Sequence, residues 1–136
     1  MNRTSFSLVV AMTSLLAAAP LRAHHSFAAT YLEDAPPTEI RGTLKSFKIQ
    51  NPHSYVQIED EKLTDKEGNP VRWVVEWGAA AQLSTQNVSA TTLKSGDKVV
   101  VTGAPGRNAE DFRLLMRTIT RPADGWKWPV GNQTFR

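Results

Sequence analysis

From Thr38 onward, apolar and polar side chains alternate. Ile40, Gly42 and Leu44 fall on one parity, with polar neighbours between them. This is the two-residue period of a strand with one buried face. Phe47 and Ile49 continue on the opposite parity. A one-residue slip turns side chains to the other face unless an extra residue is absorbed in a bulge. The pattern therefore predicts a long, bent strand over 38–50, bulged near Lys45 and Ser46, with Asn51-Pro52 turning the chain. A second strand follows at 55–59, with Val56 and Ile58 on one face. After a polar stretch ending in Glu67-Gly68-Asn69, a third strand covers 71–77. Val71, Trp73, Val75 and Trp77 make its core face, and Arg72, Val74 and Glu76 its outer face.

Gly78 ends that strand, and 79–86 is rich in good helix formers. Ser89 is placed to cap a second short helical turn ending at Leu93-Lys94. A turn at Ser95-Gly96-Asp97 leads into a fourth strand at 98–103 and, past a loop, a fifth at 112–120. Three strands, one or two short helices and two more strands, with a long bulged first strand, is the element order of a small OB-like five-stranded barrel of mainly β class. The competing arrangement is an open sheet or small sandwich with one helix. The expected barrel domain spans 38–121, with an aromatic C-terminal tail at 122–136. In that tail, Trp126-Lys127-Trp128 is expected to fold back over the barrel rather than leave so much apolar surface exposed.

The N-terminus follows a different pattern. Met1-Asn2-Arg3 is a short basic start, residues 7–19 form an uncharged apolar run, Pro20 breaks it, and Leu21-Arg22-Ala23 ends in a small residue. This reads as a signal peptide, 1–23, cut after Ala23. The run is shorter than the roughly 20 apolar residues a membrane span requires, so the expectation is export to the periplasm with no membrane span after cleavage. An uncleaved anchor ranks below it. Residues 24–37, with Ala35-Pro36-Pro37, read as an irregular arm or linker.

Removal of 1–23 changes the charge balance. The whole chain has 16 basic and 13 acidic side chains and a pI near 9.5. Without Arg3 and Arg22, fourteen basic residues face thirteen acidic ones in 113 residues, a net of +1. That offers no basic stripe for nucleic acid. With no cysteine, disulfides, thiolate ligands and cysteine nucleophiles are excluded. No serine is paired with a base in the pattern, and the Gly103-Ala104-Pro105-Gly106 loop has proline where a phosphate loop needs amides.

The remaining candidate chemistry is histidine. The chain has three: His24, His25 and His53. Cleavage after Ala23 makes His24 the first residue, so its α-amine and its ring Nδ1 can chelate one ion together. A further imidazole gives three nitrogen ligands, a set suited to Cu(II). His53, in the turn after Pro52, is the better third ligand, because His25 is cramped by adjacency. Zinc in a structural site wants four ligands, so Glu33, Asp34 or Glu76 would have to join. The plainer alternative, which residue types alone favour, is a solvated arm and a structural His53. Asn51 is expected to serve the turn. Tyr55 is expected to line a site on the His53 side or to cap the barrel. Asp60 and Glu61 are expected to be solvated.

Several stretches together carry a family resemblance: Ala23-His24-His25-Ser26-Phe27, Gly42-Thr43-Leu44, Asn51-Pro52-His53, the strand from Trp73 to Trp77, and Leu93-Lys94-Ser95-Gly96-Asp97 with Val99, Val101 and Gly103. They resemble the DUF6152 family of small exported bacterial proteins over nearly all of the chain after residue 23. His-His-Ser-Phe and Asn-Pro-His are the most specific elements. The resemblance implies an exported β-barrel domain and leaves activity open. At the level of fold the body is also similar to periplasmic OB-fold binding proteins. The leading expectation is a periplasmic binding protein, not an enzyme, with copper held through His24 and His53 (and His25 as the lesser candidate). The alternative is an envelope protein-interaction module without metal. A third reading is a copper-dependent oxidase.

Overall fold

In the computed structural model, residues 27–130 are described, so the expected signal segment and both His24 and His25 lie outside the described residues. A helical turn α1 (Phe27–Thr30) is followed by β1 (Thr38–Lys48), β2 (Ser54–Thr64), β3 (Pro70–Trp77), α2 (Ala80–Ser84), β4 (Lys98–Pro105), a 3-10 turn (Ala109–Asp111), β5 (Arg113–Arg121) and β6 (Trp126–Trp128). The strands lie in the order β3-β2-β1-β4-β5, and β3 pairs in parallel with β5 to close the barrel. This mainly β barrel, with its helix between the third and fourth strands, is the OB-like architecture.

The expected bulge is where the parity slips. β1 pairs with β2 in one register up to Leu44 and resumes at Ser46, leaving Lys45 as the extra residue. Ile40, Leu44, Val56, Ile58, Val75, Val101, Leu114 and Ile119 build the core. Each side chain of this kind contributes about 1.5–3 kcal/mol by leaving water. Gly42 permits the close crossing of β1 over β2, since a Cβ there would lie 2.0 Å from the Glu59 carbonyl oxygen.

Several expected boundaries move, each for a local reason. β2 runs on to Thr64, so the polar loop before β3 is shorter than the pattern suggests. The second helical turn near Ser89 is only a hydrogen-bonded turn, with Ser89 Oγ accepting from the Thr91 amide. α2 stops at Ser84, and the chain leaves it through Asn87 in the left-handed region, a conformation asparagine tolerates. Phe112 is also left-handed, so the fifth strand starts one residue later than expected. Trp73 is only half-buried, and its indole N–H donates to Asp60 Oδ2 at 2.9 Å, so Asp60 is an anchored side chain and not a free surface acid.

The tail does fold back, as a strand. β6 pairs with Ile119–Arg121 of β5, and Trp128 is buried edge-on against Trp77, with ring centroids 4.9 Å apart. Among the described residues no helix is long and apolar enough to cross a membrane.

Candidate functional site

The candidate site sits where the β1–β2 turn meets the end of β3. Gln50, Asn51 and Pro52 make the turn, and Ser54, fully buried, fixes it. The Ser54 Oγ donates to the Gln50 carbonyl at 3.3 Å and accepts from the Gln50 amide at 3.2 Å. The turn also caps α2. The N-cap position is Ala79, which has no capping side chain, and the Gln50 carbonyl and Asn51 Oδ1 accept from the amides of Ala80 and Ala81 instead. Asn51 therefore does more than serve its own turn. His53, the last residue before β2, has its side chain 26% exposed.

Tyr55 and Glu76 are register partners across β2 and β3, so they stand on the same face, outside the barrel core. A glutamate on an outward face would normally be solvated. Glu76 is buried instead, because the segment from Phe27 to Ala35 crosses over it. Tyr31, 1% exposed, donates its hydroxyl to Glu76 Oε2 at 2.5 Å. His53 Nδ1 lies 2.5 Å from Glu76 Oε1, and the Tyr55 hydroxyl donates to the same oxygen at 3.5 Å. With the Glu76 carboxyl ionised, Nδ1 is the protonated donor to Oε1, and Nε2 is the other ring nitrogen. No bond to Nε2 is made among the described residues. Burial, reinforced by the neighbouring Glu76, pushes the Tyr31 hydroxyl well above its ordinary range, and burial and the Glu76 charge raise that of Tyr55.

The covering segment is not the irregular linker its composition suggests. Tyr31 bridges to Gly106, the Leu32 amide donates to the Pro105 carbonyl at 2.8 Å, and the Arg107 amide donates to the Thr30 carbonyl at 2.9 Å. Side chains of Arg107 and Arg117 donate to the carbonyls of Ala28 and Glu33. At its start, the Phe27 ring lies against the His53 ring, with centroids 5.0 Å apart and planes tilted by 34°.

Of the expected metal ligands, the structure places His53 beside Phe27, three residues after His24. His24 and His25 themselves lie outside the described residues. Glu76 is close to His53, whereas Glu33 and Asp34 are exposed on the covering segment. Among the described residues no group of three histidine or carboxylate side chains is arranged to hold an ion. Tyr31 was not singled out by the sequence pattern. Its one signal there is being a large aromatic residue in a segment otherwise marked by Pro36-Pro37.

A family model describing a family of unknown function, DUF6152, matches residues 11–114. The chain belongs to DUF6152. The match takes in the covering segment, His53 and Glu76 of this DUF6152 chain. No curated protein matches it. It is similar to two crystal structures of Rim1, a mitochondrial single-stranded DNA binding protein from S. cerevisiae, the second selenomethionine-labelled. Identities are 16% and 13% and TM-scores 0.46 and 0.44, each alignment covering 64% of this chain and 93% of that chain. Likeness at that level carries no argument about function, and the barrel assignment rests on the strand pairings themselves.

Proposed function

We propose that this DUF6152 protein is an exported, periplasmic binding protein that holds one copper(II) ion between its mature N-terminus and His53. In this reading cleavage after Ala23 frees the His24 amine. That amine, the His24 ring and His53 Nε2 supply three nitrogen ligands, a set with which Cu(II) forms its preferred tetragonal geometry. His25, next in the chain, is the alternative imidazole.

The observation that supports this is the Phe27 ring against His53 at 5.0 Å. Three residues of extended chain span at most roughly 10 Å. In this reading a His24 amine three residues before Phe27 is tethered within reach of His53, and the docked residues 27–35 lower the entropy cost of closing such a site. The Glu76 contact at Nδ1 directs the free lone pair to Nε2, the arrangement in which a carboxylate orients a ligating histidine.

Calorimetry with Cu(II) tests this on two forms of the protein, one beginning at His24 and one with a single alanine before it. The first is expected to show one site and the second to bind at least about tenfold more weakly, a loss of about 1.4 kcal/mol. Equal binding by both forms would refute the amine as a ligand. Mass spectrometry of protein recovered from the periplasm should give His24 as the first residue.

A further inference from the structure

Residues 27–35 lie on the barrel in the manner of a bound peptide. Tyr31 bridges to Gly106, just past the end of β4, where Thr38 of β1 already pairs with Gly103. Seven positions separate Tyr31 from Thr38, whereas three separate their partners. The surplus is taken up where the Ala35 amide donates to the Leu32 carbonyl at 3.1 Å, a turn that leads into Pro36-Pro37. That turn lets the segment fold back onto its own barrel.

The groove grips main chain along the segment and one side chain at its middle. The Leu32 amide donates to the Pro105 carbonyl and the Arg107 amide to the Thr30 carbonyl. The Arg107 and Arg117 side chains hold the Ala28 and Glu33 carbonyls, and Tyr31 fills a buried seat on Glu76. Strand addition of this kind draws affinity from main-chain bonds and specificity from side-chain pockets. The chain's own segment satisfies all of these contacts, and a second copy carries the same segment. We propose that this groove is a self-association site: residues 27–35 of a second copy take it, giving a reciprocal dimer in which Tyr31 of each chain is seated on Glu76 of the other. No ion takes part in this exchange.

Exchange keeps every segment–barrel contact, so the balance lies in the connection at 33–37. A short connection holds the segment over its own groove at an effective concentration of roughly millimolar. A second copy competes near that concentration, or well below it once the turn is prevented. Ala35→Pro prevents it. Proline has no amide to close the turn, and next to Pro36-Pro37 it holds the connection extended.

Sedimentation velocity from about 10 µM to about 1 mM, a range that brackets the effective concentration, tests this on protein beginning at His24. Hydrogen exchange at the Leu32 and Arg107 amides reports seating of the segment, and Val75 and Ile119 of the core are controls for folding. The parent is expected to be monomeric at the low end and to form dimer towards the high end. Ala35→Pro is expected to lower the concentration of half-dimerisation at least about tenfold. Dilution should release its dimer and speed exchange at Leu32 and Arg107 together. Adding Tyr31→Ala to Ala35→Pro should return monomer across the range.

An Ala35→Pro protein that stays monomeric with its core protected overturns the exchange, whether or not the two amides are protected. So does a dimer that survives Tyr31→Ala, since it would use another surface. If Ala35→Pro loses core protection as well, the parent decides. Dimer after refolding at about 1 mM that Tyr31→Ala removes supports the exchange, and monomer alone overturns it.

Discussion

Two polar clusters fasten the two peripheral segments to this barrel, and they are built on opposite plans. The C-terminal strand β6 is held through Arg121. Its Nε and Nη2 donate to both oxygens of Asp124 at 2.9–3.2 Å, its Nη1 donates to the Thr92 carbonyl at 2.7 Å and to Asp97 Oδ2 at 2.9 Å, and the guanidinium lies over the Trp126 ring. The donor fork is satisfied within the protein. The N-terminal segment is held through Glu76, an acceptor at the centre of three donors, Tyr31, Tyr55 and His53. One of those donors is an imidazole with a second nitrogen left over. The Arg121 cluster is chemically closed, whereas in the Glu76 cluster one nitrogen, His53 Nε2, makes no bond among the described residues. That asymmetry, more than the burial of either charge, makes the Glu76 end the candidate site.

The largest effect should come from removing the two centres. Glu76→Leu leaves the buried Tyr31 hydroxyl and the half-buried His53 Nδ1 without an acceptor and is expected to destabilise the protein by about 3 kcal/mol. Arg121→Met removes a more solvated cluster and is expected to cost about 1 kcal/mol. Urea denaturation followed by tryptophan fluorescence gives both values. Adding Tyr31→Phe to Glu76→Leu removes the stranded hydroxyl as well, so the double variant should cost less than the two single changes together. Additive costs, or a larger loss for Arg121→Met than for Glu76→Leu, would remove the contrast between the clusters.

The two clusters also differ in how legible they were. The barrel could be read because its information is local: the parity of Ile40, Leu44, Val56, Ile58, Val71 and Val75, the slip at Lys45, and the helix formers after Gly78. His53 could be singled out as a residue type beside a proline turn. Glu76 could be placed on the outer face of its strand, and that placement was right. Its burial could not be read, because the side chain that covers it comes from 45 positions earlier, across two prolines that suggest a linker. Strand period reports which face a residue occupies and says nothing of what later covers that face. The same limit applies to Trp128, whose seat against Trp77 depends on a strand only three residues long.

A smaller effect is expected in base, and it isolates the Glu76 end. The chain has two tyrosines, Tyr31 and Tyr55, and both belong to this cluster. Phenolate absorbance near 295 nm therefore reports on the site alone. In unfolded chain both hydroxyls would ionise near pH 10. In the folded protein both are raised, Tyr31 more than Tyr55. Their contribution to stability is present below about pH 10 and is lost as pH rises towards the folded values, since the unfolded chain gives up its protons first. Native protein is expected to show little phenolate at pH 10, with Tyr55 ionising before Tyr31 and the Tyr31 signal arriving with release of the segment. In Glu76→Gln the neighbouring negative charge is gone, and both transitions should move to lower pH. A free-tyrosine titration curve in the parent protein would mean that neither hydroxyl is held as described.

The smallest effect is expected in acid, and it belongs to the Arg121 end. Burial pushes the Asp97 carboxyl up, but the Lys94 amide and Arg121 outweigh it, and the net shift is downward. Arg121 and the Trp126 amide lower Asp124, which is fully exposed. For both groups the stabilising contribution is present above the unfolded carboxylate value of about 4 and is lost as pH falls through the lower folded value. Solvent and salt screen the Asp124 share, so most of the measurable slope below about pH 4 should come from Asp97. Arg121→Met should flatten that slope and leave the tyrosine titration untouched, whereas Glu76→Gln should do the reverse. A single variant that moved both would mean that the two ends of the barrel are energetically coupled through the core, and the site could then no longer be treated as a local assembly of Tyr31, His53, Tyr55 and Glu76.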